Sequence, residues 1–256
     1  MSGYFIPHSP CLEPRGLGVT HPTWDSARDA IRQHLGAFMP VQVVTLTPEM
    51  CVRADRNPNF DAIIHGAAIV VADGVGVAWG ERHLTRARIE KIPGIDLATW
   101  ALEEVDRIGG RVFLLGAERD SVRTAAENVS TNYPRLSVVG HRDGYFTETE
   151  EVEVVRTIAA TEPHLLLVGM GSPKQEVFIA GYLGRLGCAV AMGVGGTLDV
   201  WSGTVRRAPR FFRKTGIEWL YRTFTQPRAR LKRTSTLWQF IRMVHLRAKD
   251  PPWILW

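Results

Sequence analysis

The stretch His164-Leu165-Leu166-Leu167-Val168-Gly169-Met170-Gly171-Ser172-Pro173-Lys174-Gln175-Glu176 runs from an apolar segment through a glycine-rich turn into a polar, helix-starting segment. A continuous apolar run bounded by glycine reads as a strand buried on both faces, and the residues from Lys174 onward have helical spacing. A strand joined to a helix in this way presents backbone N–H groups and a helix N-terminus, which suit an anion such as a phosphate. Lys174 adds a cation and Gln175 a fixed amide in the first turn. The same residues would also make a plain strand-to-helix turn, and a second strand end tips the balance. Ala68-Ile69-Val70-Val71-Ala72-Asp73-Gly74-Val75-Gly76 places a carboxylate where α/β sheets collect ligands.

Working outward, further apolar runs lie at 41–46, 111–115, 136–139 and 189–192. Segments with helical spacing, at 61–66, 95–108, 120–133, 148–160 and 174–186, separate most of them. Strands alternating with helices predict an α/β fold, a Rossmann-like, largely parallel sheet with helices on both faces. Four of the runs end in glycine, at Gly116, Gly140, Gly169 and Gly193, where a loop can approach a ligand closely. Residues 1–40 read as a lead-in rich in Pro, Gly and His that contains one helix from Thr23 to Leu35. Residues 41–204 form the α/β body, and residues 205–256 a basic, amphipathic helical appendage.

Charge marks that last boundary. The net charge of +5 over 256 residues is uneven: between Val205 and Lys249, 13 Lys and Arg face a single acid, Glu218. The body is correspondingly acidic, so it is the tail that seeks an anionic partner. Within the tail, Phe211, Phe212, Trp219, Leu220, Tyr221 and Phe224 interleave with cations, and residues 237–247 repeat the pattern. Such segments resemble interfacial helices that lay aromatics into a bilayer surface and cations over its phosphates.

Other classes find little support. Three scattered cysteines, Cys11, Cys51 and Cys188, without a CxxC spacing argue against a disulfide framework or a zinc site. The eight histidines show no HExxH spacing and no DxD pair occurs, so metal-free chemistry is expected. No run approaches the roughly 20 apolar residues of a membrane span. The N-terminal residues lack a signal-peptide pattern, which predicts a cytoplasmic protein.

Among individual residues, Asp73 is the candidate general base, since burial at a strand end can shift a carboxylate toward the working range. Asp-Gly is also a common turn dipeptide. Thr47 before Pro48 reads as a helix N-cap, whereas Thr45, on the same side of its strand, has no such explanation. Asp143-Gly144-Tyr145-Phe146 offers a glycine approach beside an aromatic plane for a base or sugar, or a plain turn with a core tyrosine. Gly193-Val194-Gly195-Gly196-Thr197-Leu198-Asp199 matches a dinucleotide fingerprint only loosely.

In their order along the chain, several pieces together resemble the WecG/TagA/CpsF glycosyltransferases, glycosyltransferase family 26. They are Thr45-x-Thr47-Pro48-Glu49, Asp73-Gly74-x-Gly76, Pro93-Gly94-Ile95-Asp96-Leu97, the 112–116 strand, Gly144-Tyr145-Phe146, the 169–176 turn, Gly193 to Asp199, Arg207-Ala208-Pro209 and Gly216 to Arg222. The resemblance implies a GT-E type fold and an inverting, metal-independent transfer without a cofactor. The donor would be a UDP-sugar carrying a hexose-type group: N-acetylmannosamine, its uronic acid, or a sugar of the glucose or glucuronic acid class. The acceptor would be a polyprenyl-diphosphate-linked saccharide at the inner face of the cell membrane, in the synthesis of a surface polysaccharide or teichoic acid.

On that pattern Asp73 is the catalytic base, and Thr45 and Gln175 line the sugar and acceptor end. Thr47 stands where relatives often carry Asn, and Lys91 where many carry Arg; both bear on the donor. Gly74, Gly116, Gly144, Tyr145, Gly169, Gly195 and Asp199 complete the substrate-binding set. Arg206, Arg207, Arg210, Arg222 and Arg228 would meet the acceptor and its diphosphate. The implied partners are the donor, the lipid-linked acceptor and the membrane surface, with no nucleic acid; a homo-oligomer stays open. Two other readings compete: a nucleotide-cofactor oxidoreductase, suggested by the glycine turns, and a nucleic-acid-binding protein, suggested by the basic tail.

Overall fold

The computed structural model describes residues 16–206 and 227–249, with side chains from 236 onward in the second span. Helix α1 (Trp24–Ala37) precedes strand β1 (Val41–Leu46), which leads through α2 (Pro48–Ala54) and α3 (Pro58–Gly66) to β2 (Ile69–Ala72). Helices α4 (Val75–Thr85) and α5 (Gly94–Arg107) carry the chain to β3 (Arg111–Gly116), and α6 (Arg119–Asn132) to β4 (Ser137–Arg142). Then follow α7 (Glu148–Thr161), β5 (Leu165–Gly169), α8 (Lys174–Tyr182), β6 (Val190–Gly193), α9 (Thr197–Trp201) and α10 (Pro227–Lys249).

All six strands run parallel, in the order β2-β1-β6-β5-β3-β4. Side chains alternate across a strand, so each strand feeds two cores. Val41, Val43, Ile69, Val71, Val112, Leu114, Leu165, Leu167, Val190 and Met192 meet α1, α5, α6 and α9 on one face. On the other, Val44, Leu46, Val70 and Ala72 meet α2, α3, α4 and α10, while Phe113, Leu115, Leu166, Val168 and Ala191 meet α7 and α8. The expected Rossmann-like α/β sheet with helices on both faces is what the chain forms.

The structure departs from the sequence reading in three places. First, β4 does not stop at Gly140 but runs on to Arg142, with Gly140 opposite Phe113 at a shift in register. The Phe113 ring lies so close that a Cβ on Gly140 would meet it at 2.4 Å, which explains the glycine without a ligand. Second, α4 carries no clear helical signal in the sequence, because Gly76 and Gly80 interrupt its apolar spacing. A Cβ on Gly76 would lie 2.9 Å from Pro48, and one on Gly80 2.9 Å from the Phe240 ring. Both glycines let neighbouring elements close onto α4.

Third, the apolar residues of the expected interfacial stretch 237–247 divide between two roles. Phe240, Met243 and Val244 are buried in the core formed with α2 and α4, whereas Trp238 and Leu246 are exposed, Trp238 at 71%. Arg247 pairs with Asp55 at 2.9 Å and Arg56 donates to Gln239 at 3.0 Å, fixing α10 to the end of α2. Residues ahead of β1 also join the body. Thr23 caps α1, Ala27, Ile31 and Leu35 enter the first core, and buried Glu81 of α4 accepts the Leu17 N–H. Burial pushes the Glu81 carboxyl above the usual carboxylate range.

Candidate active site

The C-terminal strand ends form one continuous edge, and its first part lies at β1 and β2. Asp73, directly after β2, accepts the Gly94 N–H at 3.2 Å and donates its own N–H to Leu46 C=O at 2.9 Å. Gly94 opens α5, so the carboxylate stands at the N-terminal end of a 14-residue helix, where negative charge is favoured. A Cβ on Gly94 would lie 3.0 Å from Thr45 Oγ1 and 3.2 Å from Asp73 Oδ2. Only the missing side chain lets the helix start come this close to both. Gly94 was legible in the sequence as part of Pro93-Gly94 before a helix, yet nothing local says that the glycine faces Asp73. Lys91 precedes this corner, in a segment held to the sheet by Ile92 N–H on Ala72 C=O at 2.8 Å.

Gly74, with φ at +94°, caps α4 and turns the chain away from Asp73. Thr47 does what capping requires: its hydroxyl accepts the Met50 N–H at 3.3 Å at the start of α2. The two threonines therefore part company, Thr45 toward Gly94 and Asp73, Thr47 onto its own helix.

The second part is a floor of glycines at the ends of β6, β5, β3 and β4. Gly116 has φ at +128°, and a Cβ there would lie 2.4 Å from the Gly169 carbonyl. A Cβ on Gly169 would meet Gly195 O at 2.8 Å, and one on Gly144 would meet Gly116 Cα at 3.1 Å. Ala117 N–H donates to Gly169 O at 3.0 Å and Gly144 N–H to Ala117 O at 3.1 Å, tying three of these turns together. At about 4.8 Å between neighbouring strands, Asp73 stands roughly two strand spacings from the β6 turn, and the glycine floor continues beyond it.

Polar side chains border the floor. Tyr145 is 74% exposed beside Gly144, its N–H held by Asp143 Oδ1 at 3.1 Å. Lys174 donates to Gly144 O at 3.0 Å and covers the Phe146 ring at 4.7 Å, so it clamps the loop after β4 to the start of α8. Asp199, in α9, receives a 2.7 Å bond from Ser121 of α6, a serine that no motif along the chain marks. Arg206 is exposed. Arg207, Arg210 and Arg222 lie outside the described residues, and Arg228 belongs to α10 without a described side chain.

Gln175 differs most from its sequence reading as an amide lining the sugar and acceptor end. It is only 5% exposed, its Oε1 accepts the Gly195 N–H at 3.0 Å and its Nε2 donates to Glu176 at 2.7 Å. The amide thus holds the floor from beneath. Both described cysteines are buried; burial pushes the Cys188 thiol up to about 12 and raises Cys51 as well, so neither is a ready nucleophile. Among the described residues no three His, Cys, Asp or Glu side chains gather as a metal site would need.

Gly116→Ala tests how far the floor depends on close backbone approach. The strained φ alone costs about 1–3 kcal/mol, and the clash with Gly169 adds to it. Gly171→Ala is the control, because Gly171 also has a positive φ, +74°, but open space around its Cβ. Urea melts should show the larger loss for Gly116→Ala. Equal losses would mean that the approach to Gly169 is not tight.

An open parallel sheet with helices on both faces, a glycine floor at its carboxyl edge and an acid beside it define a Rossmann-like ligand-binding protein. The model of the Glycosyl transferase WecG/TagA/CpsF family matches residues 13–252, and the chain belongs to that family; it is a glycosyltransferase. The oxidoreductase reading falls with that result. The chain is 36% identical over 222 residues, 86% of its length and 84% of the relative's, to the N-acetylglucosaminyldiphosphoundecaprenol N-acetyl-beta-D-mannosaminyltransferase of Bacillus spizizenii. It is 38% identical over 180 residues, 70% of either chain, to the enzyme of the same name from Staphylococcus aureus strain NCTC 8325.

Proposed function

We propose that the protein transfers N-acetylmannosamine from a UDP-sugar to N-acetylglucosaminyl-diphosphoundecaprenol, with inversion and with Asp73 as general base. The observation that carries this reading is the corner where Asp73, Thr45 and Gly94 meet, beside a floor able to take a diphosphate. The relatives' names supply the sugar and the acceptor.

In this scheme the acceptor hydroxyl attacks the anomeric carbon as Asp73 takes its proton. The bond from that carbon to the β-phosphate oxygen breaks, and UDP leaves with the electron pair. One carboxylate suffices for such a displacement. Backbone N–H groups at the glycine turns and the N-terminus of α8 oppose the charge growing on the diphosphate. Tyr145 offers a ring for the uracil or ribose, and Asp199, oriented by Ser121, an acceptor for a sugar hydroxyl.

No helix among the described residues is long and apolar enough to cross a membrane. The basic tail and the exposed Trp238 and Leu246 support attachment to the inner membrane surface, where a polyprenyl-linked acceptor resides. Arg206, Arg207, Arg210, Arg222 and Arg228 would then serve the acceptor's diphosphate.

Thermal-shift titration tests the donor directly, because a ligand that binds the folded state raises its melting temperature with affinity. UDP and UDP-N-acetylmannosamine should stabilise the protein, and transfer to the lipid-linked acceptor should continue in excess chelator. No shift with any UDP-sugar would overturn the donor assignment. A strict need for magnesium or manganese would overturn the metal-free mechanism.

A further inference from the structure

Beneath the glycine floor lies a buried polar seam that the transfer scheme does not use. Glu176 is 2% exposed, Gln175 5% and Gln42 of β1 4%, and they sit between the two apolar clusters on that face of the sheet. Gln42 Nε2 donates to the Glu176 backbone carbonyl at 3.1 Å, anchoring the first turn of α8 to β1. Glu176 Oε1 accepts from Gln175 Nε2 at 2.7 Å, and Gln175 Oε1 accepts the Gly195 N–H at 3.0 Å. The amide lies against β6, so close that a Cβ on Gly193 would meet Nε2 at 2.6 Å.

We propose that Glu176 is a positioning residue for the donor: through Gln175 it fixes the turn of Gly193, Val194, Gly195 and Gly196 that forms one wall of the crevice. This rests on the reading of the crevice as a nucleotide-sugar site. The physical reason lies in the two-sidedness of an amide. Gln175 could turn either its oxygen or its nitrogen toward Gly195, and only the oxygen can take that N–H. An acceptor on the opposite side selects the required orientation, and Glu176 Oε1 is that acceptor.

The arrangement is costly for stability. Glu176 Oε2 is buried with no hydrogen-bond partner, and burial pushes the carboxyl above the usual range despite the bonds that Gln175 and Ser172 offer it. An apolar side chain of similar volume would avoid that desolvation. A seam that served the fold alone would do as well with apolar residues at both 175 and 176, whereas a residue that orients Gln175 must be an acceptor.

The test compares Glu176→Met, which removes the acceptor without opening a cavity, with Glu176→Gln, which keeps it. UDP binding is followed by calorimetry, thermal melting is recorded, and amide exchange is read over residues 193–197. Glu176→Met should melt close to the wild-type temperature, because relief of the buried carboxyl offsets the Gln175 N–H left unpaired; it should bind UDP about tenfold more weakly, the scale of one lost hydrogen bond, and exchange faster at 193–197 but not in β1. Glu176→Gln should stay within about threefold of wild type in binding, because its carbonyl replaces Oε1. Wild-type UDP affinity and wild-type exchange in Glu176→Met would overturn the proposal, as would equal losses in the two variants. If Glu176→Met does not fold, Gly193→Ala, which displaces the amide from the other side, should weaken UDP and loosen 193–197; unchanged values would count against the proposal. If the wild type itself fails to bind UDP, the donor reading fails, and exchange at 193–197 alone decides the role of Glu176.

Discussion

Asp73→Asn is expected to keep the fold and bind UDP within about threefold of wild type, while transfer to the lipid-linked acceptor falls by about two to four orders of magnitude, the range for a positioned general base. The amide oxygen can still accept the Gly94 N–H, so the corner of β1, β2 and α5 retains its shape. What it loses is proton affinity. Single-turnover measurement separates the two effects, since a binding defect would appear in the donor dependence and a missing base in the rate at saturation. Near-wild-type turnover would remove Asp73 from the chemistry and point instead to the acceptor's own environment. Thr45→Ala should behave differently, with a smaller loss, because its hydroxyl lies beside Gly94 and bears no charge.

Strands were the most legible part of the sequence. Each buried strand is a short apolar run bounded by glycine or a polar residue, and parallel strands covered on both faces need no alternation. The runs at 41–46, 165–168 and 189–192 therefore fall within a residue or so of β1, β5 and β6. Helices with an apolar stripe, such as α5 and α6, were equally plain. Helix α4 was not, because its glycines answer to Pro48 and Phe240, the latter 160 or more positions away, and such an approach leaves no local periodicity.

The site divides in the same way. Asp73 and the glycines at 116, 169 and 195 could be singled out because strand ends and glycines are visible along the chain. Their partners could not. Gly94 meets Asp73 across a 21-residue separation, and Ser121 meets Asp199 across 78. Gln175 shows the limit most clearly: its place in the first turn of α8 is readable, but whether its amide faces a ligand or the underside of β6 depends on Glu176 and on the small size of Gly193.

Phe240→Ala should destabilise the protein by about 3–5 kcal/mol, the usual cost of emptying a fully buried aromatic site. Its ring is completely enclosed against Gly80 and the α2 and α4 core, so little of the space can be refilled by a small shift. Trp238→Ala and Leu246→Ala, on the exposed side of the same helix, should leave the melting temperature unchanged and lower binding to anionic vesicles. This contrast changes what deletion of the tail can reveal. Cutting the chain after Gly203 removes Phe240, Met243 and Val244 along with the cations, and it opens the apolar surface of α2 and α4 to water. The truncated protein should therefore aggregate or melt early, and its loss of transfer would say nothing about the membrane. Point changes on the two sides of α10 keep the roles apart. If Phe240→Ala melts like the wild type, α10 is not part of the core. If Trp238→Ala and Leu246→Ala together bind vesicles normally, the exposed side of α10 is not what meets the membrane, and attachment rests on the cations alone.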